Sequence, residues 1–244
     1  MREAFPGYCK LNDVLKKEIW GQSTFVFDTN VLLNLYRYSD ETRDDFIKSI
    51  LALDDRLWLP YRCAEEFLKN RTKVISDQQK AYDETIKDIK KLINTINSSR
   101  SHPFISKKSS MALSELFIDI QEELRESQEI NTNRIIEDEI KEKVFDIFDG
   151  KVSGKPSRDY LEEIISEGEG RYKEKIPPGY KDASKASGDA CFSDRLRPYG
   201  DFLIWKSILE HAKDNKTDIV FVTDDNKEVG GKLLMVRRWG LGLN

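Results

Sequence analysis

Histidine and cysteine are scarce in this chain of 244 residues. The two histidines, His102 and His211, supply almost no material for a histidine-rich metal site or for a Ser-His-Asp triad. The three cysteines, Cys9, Cys63 and Cys191, are odd in number and lie far apart, so they fit neither a disulfide framework nor a zinc knuckle. Carboxylates must therefore carry whatever chemistry the chain performs.

The chain also lacks an apolar run long enough to span a membrane, and its first residues lack the features of a signal peptide. We therefore expect no membrane association and a cytoplasmic location. Hydrophobic residues make up 39% and charged residues 34% of the sequence, a balance typical of a soluble globular protein with long solvated helices. The net charge is −4, so the molecule as a whole is not an obvious binder of polyanions.

Positive charge is nevertheless concentrated in two stretches. Residues 171–197 carry seven basic side chains against four acidic ones, and the segment after Glu66 adds Lys69, Arg71 and Lys73. Basic groups around an acidic centre suit a nucleic-acid backbone that approaches a metal cluster. A solvated surface of loops and helices accounts for the same counts.

Apolar segments near both ends of the chain predict an α/β fold with a helical middle. The sheet must be assembled from both ends, because helix-like spacing of apolar residues dominates the sequence between them. Strands are predicted at 24–28, 56–59 and 218–223, helices at about 30–38, 40–53 (with Asp40 as a cap), 61–97, 109–149 (two or three helices), 157–167 and from Asp201, and an extended functional loop at 168–200.

Acidic side chains stand where these predicted elements begin or end. The carboxyl ends of parallel strands meet at one edge of a sheet, where such folds place their ligand-handling groups. Each acid also has a structural explanation, as a helix cap, a solvated helix face or a turn. The acids concerned are Asp28 after the first strand, Glu65 and Glu66 in the helix after Pro60, Asp201 at the start of a helix, and Asp224 and Asp225 after the last strand.

Four sequence patterns in this order resemble the PIN-domain nucleases. They are Asp-Thr-Asn after a hydrophobic strand, a proline six residues before Glu-Phe, Gly-Asp-x-x-Ile-Trp opening a helix, and Val-Thr-x-Asp after a strand. The similarity is greatest to a bacterial PIN-like branch with a large helical insertion. Its most specific segments are PPGYKD at Pro177–Asp182 and YGDFLIW at Tyr199–Trp205, and it covers about 23–75 and 176–228.

The resemblance implies one PIN-like domain over residues 1–244. Its expected architecture is a three-layer, Rossmann-like α/β fold with a parallel sheet flanked by helices and a long helical insertion at about 75–170. It also implies roles for individual residues. The implied metal ligands and catalytic acids are Asp28, Glu66, Asp201 and Asp225, with Asp224 as an extra ligand or a surface acid, and the implied substrate-side residues are Asn30 (which orients Asp28), Thr223, Lys185, Asp182, Arg195 and Arg197.

The activity implied by the resemblance is hydrolysis of phosphodiester bonds, with single-stranded RNA favoured over DNA. Two Mg²⁺ or Mn²⁺ ions roughly 3.5–4 Å apart can activate water and neutralise phosphoryl charge. Hard cations of this kind prefer oxygen ligands, which matches a cluster of carboxylates. A toxin or defence effector is one expected role. A homodimer, or a complex with an inhibitor or another partner protein, also fits the resemblance.

Two other functions are compatible with the sequence. A phosphohydrolase of the haloacid dehalogenase type would use an aspartyl nucleophile, but that group requires a second Asp two residues after the first, and position 30 is Asn. A catalytically inactive PIN-like scaffold would instead bind a protein or a nucleic acid, with the acids in structural roles and the helical arm as the interaction surface.

Overall fold

A computed structural model describes residues 13–98, 100, 105–185, 191–224 and 234–236. Helices dominate this part of the chain, and the strands are short. The helices are α1 (Asp13–Gln22), α2 (Thr29–Leu33), α3 (Asp40–Leu51), α4 (Tyr61–Ile96), α5 (Lys107–Asn133), α6 (Glu139–Phe148), α7 (Arg158–Lys173), α8 (Phe192–Leu196) and α9 (Gly200–Asn215), and the strands are β1 (Thr24–Phe27), β2 (Ile219–Val222) and β3 (Leu234–Val236).

Strands β1 and β2, which come from opposite ends of the chain, pair in parallel, as the sequence predicts. Their register places Phe27 opposite Val222, so both strands end at the same edge of the sheet. Strand β3 runs antiparallel to β2, which makes the sheet mixed rather than wholly parallel. The segment predicted as a strand at 56–59 contributes only isolated parallel bridges, one to β1 and one to Val152.

The main hydrophobic core surrounds β1 and β2. Burial of three of the four residues of β1 shows that the strand is covered on both faces, as its unbroken apolar sequence predicts. Helix α9 divides this core from a second one: Ile204 and Ile208 pack into the first, whereas Phe202 and Leu203 pack against α7 and α8 in the second. The amino end of α9 is therefore held from two sides.

The helical middle of the chain forms a hairpin of α4 and α5. Asn131 on α5 is buried and donates a hydrogen bond from Nδ2 to the carbonyl oxygen of Ile75, at 3.0 Å. Nearer the tip, Gln128 Nε2 donates to Asp83 Oδ1 at 2.7 Å. Among the helices in the described part of the chain, none is both long enough and apolar enough to cross a membrane.

Two local predictions were wrong. Ser39, not Asp40, caps α3, because its hydroxyl accepts a hydrogen bond from the amide of Thr42. The segment at 168–200 is not an extended loop, since α7 continues to Lys173 and α8 and 3₁₀ turns follow. Gly168 lies inside α7, where the Tyr199 ring packs in the space that a Cβ at this position would occupy.

A buried carboxylate joins the segment after β1 to α4 and α6. Asp138 accepts hydrogen bonds from the Tyr36 hydroxyl at 2.7 Å and from Arg71 Nη1 at 2.6 Å, and its other oxygen caps α6. Burial, followed by the hydrogen bond and charge of Asp138, raises the pKa of Tyr36. Arg71 is thus an internal partner of Asp138 rather than one of the solvent-facing cations expected from the sequence.

Removing the Tyr36 hydroxyl should destabilise the fold. We expect Tyr36→Phe to lower the free energy of unfolding by about 2 kcal/mol, because it takes one hydrogen-bond donor from a buried, charged acceptor. Tyr38→Phe is the matched control, since the Tyr38 hydroxyl makes no hydrogen bond to a described residue, and it should cost less than about 0.5 kcal/mol. Urea unfolding in the presence of chelator measures both; equal stabilities of the two variants would contradict the role of Asp138.

Candidate active site

Asp28 occupies the end of β1, and its side chain does not cap the helix that follows. The residue is at the N-cap position of α2, but the carboxylate makes no capping hydrogen bond. Instead, Asp28 Oδ2 accepts hydrogen bonds from Thr223 Oγ1 at 2.8 Å and from Asn30 Nδ2 at 3.2 Å. Thr223 directly follows β2, so the parallel pairing of β1 with β2 places Thr223 beside Asp28. The geometry favours a positioned carboxylate over the capping role.

Glu66 approaches the same region from α4. The Thr29 hydroxyl lies 3.4 Å from Glu66 Oε2 and 3.5 Å from the carbonyl oxygen of Cys63, at the long limit for a hydrogen bond. Cys63 is fully buried, and burial, followed by the negative charges of Asp28 and Glu66, raises the pKa of its thiol well above its usual value. Glu66 is thus linked through the Thr29 hydroxyl to the segment that begins at Asp28.

Asp201 lies in the first turn of α9, whose N-cap is Tyr199, so Asp201 is not the cap of this helix. Two glycines allow close approach around it. A Cβ on Gly179 would lie 3.2 Å from Asp201 Cβ, and a Cβ on Gly200 would lie 3.2 Å from Glu66 Oε1. Gly179 also has a φ of +84°, which favours glycine. The turn at 177–182 and the start of α9 thus bring Asp201 toward Glu66.

A cleft of about 320 Å³ lies between α4, α9 and the turn at 177–182. Acids and bases share its walls in equal number, so the cleft is not simply an acidic pocket. A site of this kind can bind a cation at its carboxylates and an anion at its basic groups. Its lining residues are Arg62, Glu66, Lys69, Asn70, Asp182, Arg197, Gly200 and Asp201.

Ion pairs hold the glutamates of α4 on one face of the helix. Arg62 Nη1 lies 2.8 Å from Glu65 Oε2, Arg62 Nε lies 2.7 Å from Glu66 Oε1, and Lys69 Nζ lies 3.0 Å from Glu65 Oε1. Burial alone would raise the pKa of Glu65, but hydrogen bonds from Lys69 and Arg62 outweigh it and lower that pKa. Glu66 is therefore the glutamate that faces the cleft, while Glu65 serves as a partner of two cations.

Asp224 is exposed and is held by a neighbouring amide. Asn34 Nδ2 donates to Asp224 Oδ2 at 3.0 Å, and Asn34 Oδ1 accepts from Arg37 Nη1 at 2.7 Å. This contact fixes the chain just after β2 against the end of α2. Asp225, implied as the fourth acid, lies outside the described residues.

The predicted substrate-side residues fall on different surfaces. Arg197 and Asp182 line the cleft, whereas Arg195 pairs with Glu162 on α7 at 3.2 Å. Lys185 ends a 3₁₀ turn at Tyr180–Lys185, and its side chain lies outside the described atoms. Two tyrosines lie beside these residues: Tyr199 is buried against Tyr172 and has a packing role, and Tyr180 is partly buried.

The acids have the chemistry for a hard divalent cation, but their arrangement is incomplete in the described part of the chain. All of the candidate ligands are carboxylates, which suit Mg²⁺ or Mn²⁺. Within the described residues, no three His, Cys, Asp or Glu side chains lie close enough together to hold one ion. The Thr29 hydroxyl, next to Asp28 in the chain, lies 3.4 Å from Glu66 Oε2, and Glu66 and Asp201 share one cleft, so the three acids border one region without forming such a group.

Sequence reasoning missed two contributors to this region. Arg62 precedes Glu66 by four residues on α4, a spacing that signals a pair on one helix face. That signal is common on solvated helices, so it does not identify a cleft residue. Asn34 meets Asp224 across 190 positions of the sequence, and no local pattern encodes such a contact.

The close approach at Gly179 predicts a large effect of an added methyl group. We expect Gly179→Ala to destabilise the protein by about 2 kcal/mol or more, because φ is positive and the new Cβ would overlap the Tyr172 hydroxyl and press on Asp201. Gly170→Ala is the control, since its Cβ would meet open space within α7, and it should stabilise by roughly 0.5–1 kcal/mol. Thermal unfolding of the two variants measures these effects. Equal melting temperatures would contradict the close packing of Gly179 against Tyr172 and Asp201.

Comparison with known proteins identifies the family. No curated protein and no solved structure matches the chain. The sequence model of the family described as "PIN like domain" matches residues 24–229, a span that begins with β1 and contains Asp28, Glu66 and Asp201. Members of this family are generally nucleases. The chain therefore belongs to the PIN-like domain family.

Proposed function

We propose that this protein is a metal-dependent nuclease that hydrolyses phosphodiester bonds, with single-stranded RNA as the favoured substrate. The observation that carries the proposal is the setting of Asp28. Its carboxylate is oriented by Asn30 and Thr223 at the ends of two parallel strands, where ligand-handling groups of such sheets are found. Membership of a family that generally cuts nucleic acids supports the same activity.

Asp28, Glu66 and Asp201 are the residues that we propose to hold Mg²⁺ or Mn²⁺. Asp225 is added from its sequence pattern alone, and Asp224 is retained as an outer acid that Asn34 orients. A divalent cation at such a site supplies an activated water and neutralises charge on the phosphoryl oxygens. The contribution of the chain is to orient its carboxylates, and the hydrogen bonds at Asp28 do this for the first of them.

The basic side of the cleft is proposed to hold the phosphate backbone. Arg197 and Lys69 line it together with Asn70, which offers amide donors as well. A volume of about 320 Å³ is at the lower end for small-molecule pockets, so it suits one unpaired nucleotide better than a duplex. This is the structural argument for a single strand; the preference for RNA, a toxin or defence role and a cytoplasmic location are carried over from the sequence resemblance.

A second candidate is a catalytically inactive PIN-like scaffold that binds a protein or a nucleic acid. The observation that favours it is the incomplete clustering of the carboxylates in the described part of the chain. The pairing of Glu66 with Arg62 is also consistent with a structural role. In this function Asp28 would stabilise the fold through Thr223 and Asn30 without any turnover. A homodimer or an inhibitor-bound form is proposed only from the resemblance.

Replacing the proposed ligands should strongly reduce cleavage. We expect Asp28→Asn and Asp201→Asn each to reduce Mn²⁺-dependent cleavage of labelled single-stranded RNA on the order of 10²–10³-fold, because each removes a charged oxygen ligand. Single-turnover cleavage, with single-stranded DNA as the competing substrate and with Mg²⁺, Mn²⁺ or chelator, measures the effect. Mn²⁺ should also raise the melting temperature of the wild type and not that of Asp28→Asn.

Asp45→Asn is the matched control for these variants. Asp45 is an exposed acid on α3 that pairs with Lys48 at 3.0 Å, away from the cleft. Its replacement should leave cleavage within about twofold of the wild type. Cleavage that persists in excess chelator would contradict metal dependence. Absence of cleavage from all proteins, together with an unfolding change in Asp28→Asn, would favour the inactive scaffold.

A further inference from the structure

The side chain of Arg62 stands between the two glutamates of α4 at the wall of the cleft. Its guanidinium contacts Glu65 Oε2 through Nη1 at 2.8 Å and Glu66 Oε1 through Nε at 2.7 Å. The Arg62 side chain is 18% exposed and that of Glu66 is 25% exposed, so solvent screens this pair only in part. Arg62 is thus in ion-pair contact with one of the three carboxylates that we propose as metal ligands.

The contact with Glu66 is close but poorly directed. Arg62 Nε is a buried atom, yet its N–H has no acceptor in line, although Glu66 Oε1 lies at ion-pair distance. An ion pair without a linear hydrogen bond is held by charge alone and is weaker than a bidentate pair. The contact with Glu65, in contrast, is a regular hydrogen bond. Arg62 can therefore give up Glu66 and keep Glu65.

We propose that Arg62 is a displaceable counter-ion of Glu66, which occupies the cation position beside that carboxylate until a divalent cation replaces it. The proposal rests on the proposed function in one respect, namely that Glu66 is a metal ligand. Displacement leaves the guanidinium paired with Glu65 at the wall of the cleft that Lys69 and Arg197 also line. Arg62 then acts as a positioning residue that sets the affinity for the cation.

This role accounts for the incomplete clustering of the acids. In the described arrangement Glu66 Oε1 is directed to Arg62, and its Oε2 lies near the Thr29 hydroxyl, so neither oxygen is committed to Asp28 or Asp201. Gly200 lies against the same pair, since a Cβ there would come within 3.6 Å of Arg62 Nη2. Release of Glu66 from Arg62 frees Oε1 of this carboxylate for a cation.

Arg62→Gln tests the proposal by the sign of its effect on cation binding. We expect the variant to bind Mn²⁺ at least about tenfold more tightly than the wild type in isothermal titration calorimetry without nucleic acid, because a competing cation is gone. A purely structural role for Arg62 predicts weaker binding, since loss of the contact would disorder Glu66. Lys69→Gln is the matched control: it removes one positive charge from the same cleft, but Lys69 pairs with Glu65, so the gain should be about threefold or less.

The proposal would be overturned if Arg62→Gln bound Mn²⁺ no more tightly than the wild type. It would also be overturned if Arg62→Gln bound Mn²⁺ no more tightly than Lys69→Gln. Arg62→Lys covers the case in which Arg62→Gln does not fold. A lysine keeps the charge but cannot bridge both glutamates, so Mn²⁺ binding should still tighten, and unchanged binding would again overturn it. If the wild type binds Mn²⁺, Asp28→Asn abolishes that binding and the Arg62 variants bind no more tightly, then this inference alone is rejected. Absence of Mn²⁺ binding to the wild type would reject both it and the proposed metal site.

Discussion

The parallel pairing of β1 with β2 is the constraint on which the candidate site depends. It joins segments that are nearly 200 residues apart and ends both strands at one edge, where the Asp28 amide donates to the Val222 carbonyl at 2.9 Å. Thr223 can reach Asp28 only because of this register, since a shift of one residue would turn its side chain to the other face of the sheet. Apolar residues of both strands lie in or against the core beside this contact, so the same strand pairing serves the core and the candidate site.

Charge balance is the second feature of the candidate cleft. Carboxylates gathered without cations would repel each other, and this chain offsets them with basic groups in the same walls. Arg62 and Lys69 neutralise the glutamates from within α4, while Arg197 arrives from the turn before α9. The acids and the basic groups thus line one cleft without an excess of either charge. Under our proposal, a metal ion at Glu66 competes with Arg62, which would couple metal binding to a rearrangement of side chains.

The sequence predicted the elements whose signals are local. An unbroken apolar run followed by Asp28 identified the end of β1, and the apolar face after Asp201 identified α9. The family pattern marked Thr223 only as a substrate-side residue, whereas in the structure its hydroxyl donates a hydrogen bond to Asp28. It failed where packing overrides propensity: Gly168 and Gly170 suggested a loop, yet the Tyr199 ring packs on Gly168 and α7 continues past both.

Contacts between distant residues could not be predicted in the same way. The pairing of Asn34 with Asp224 and that of Arg71 with the buried Asp138 depend on how helices pack against the sheet, and neither leaves a trace in the local sequence.

The central claim is that Asp28, Glu66 and Asp201 serve one cation site. A crystal structure with Mn²⁺, with the ion located by anomalous scattering, tests it most directly. The account predicts a peak bound by oxygens of all three residues, with Glu66 turned from Arg62; ordered Mn²⁺ elsewhere, with these carboxylates apart, would contradict it.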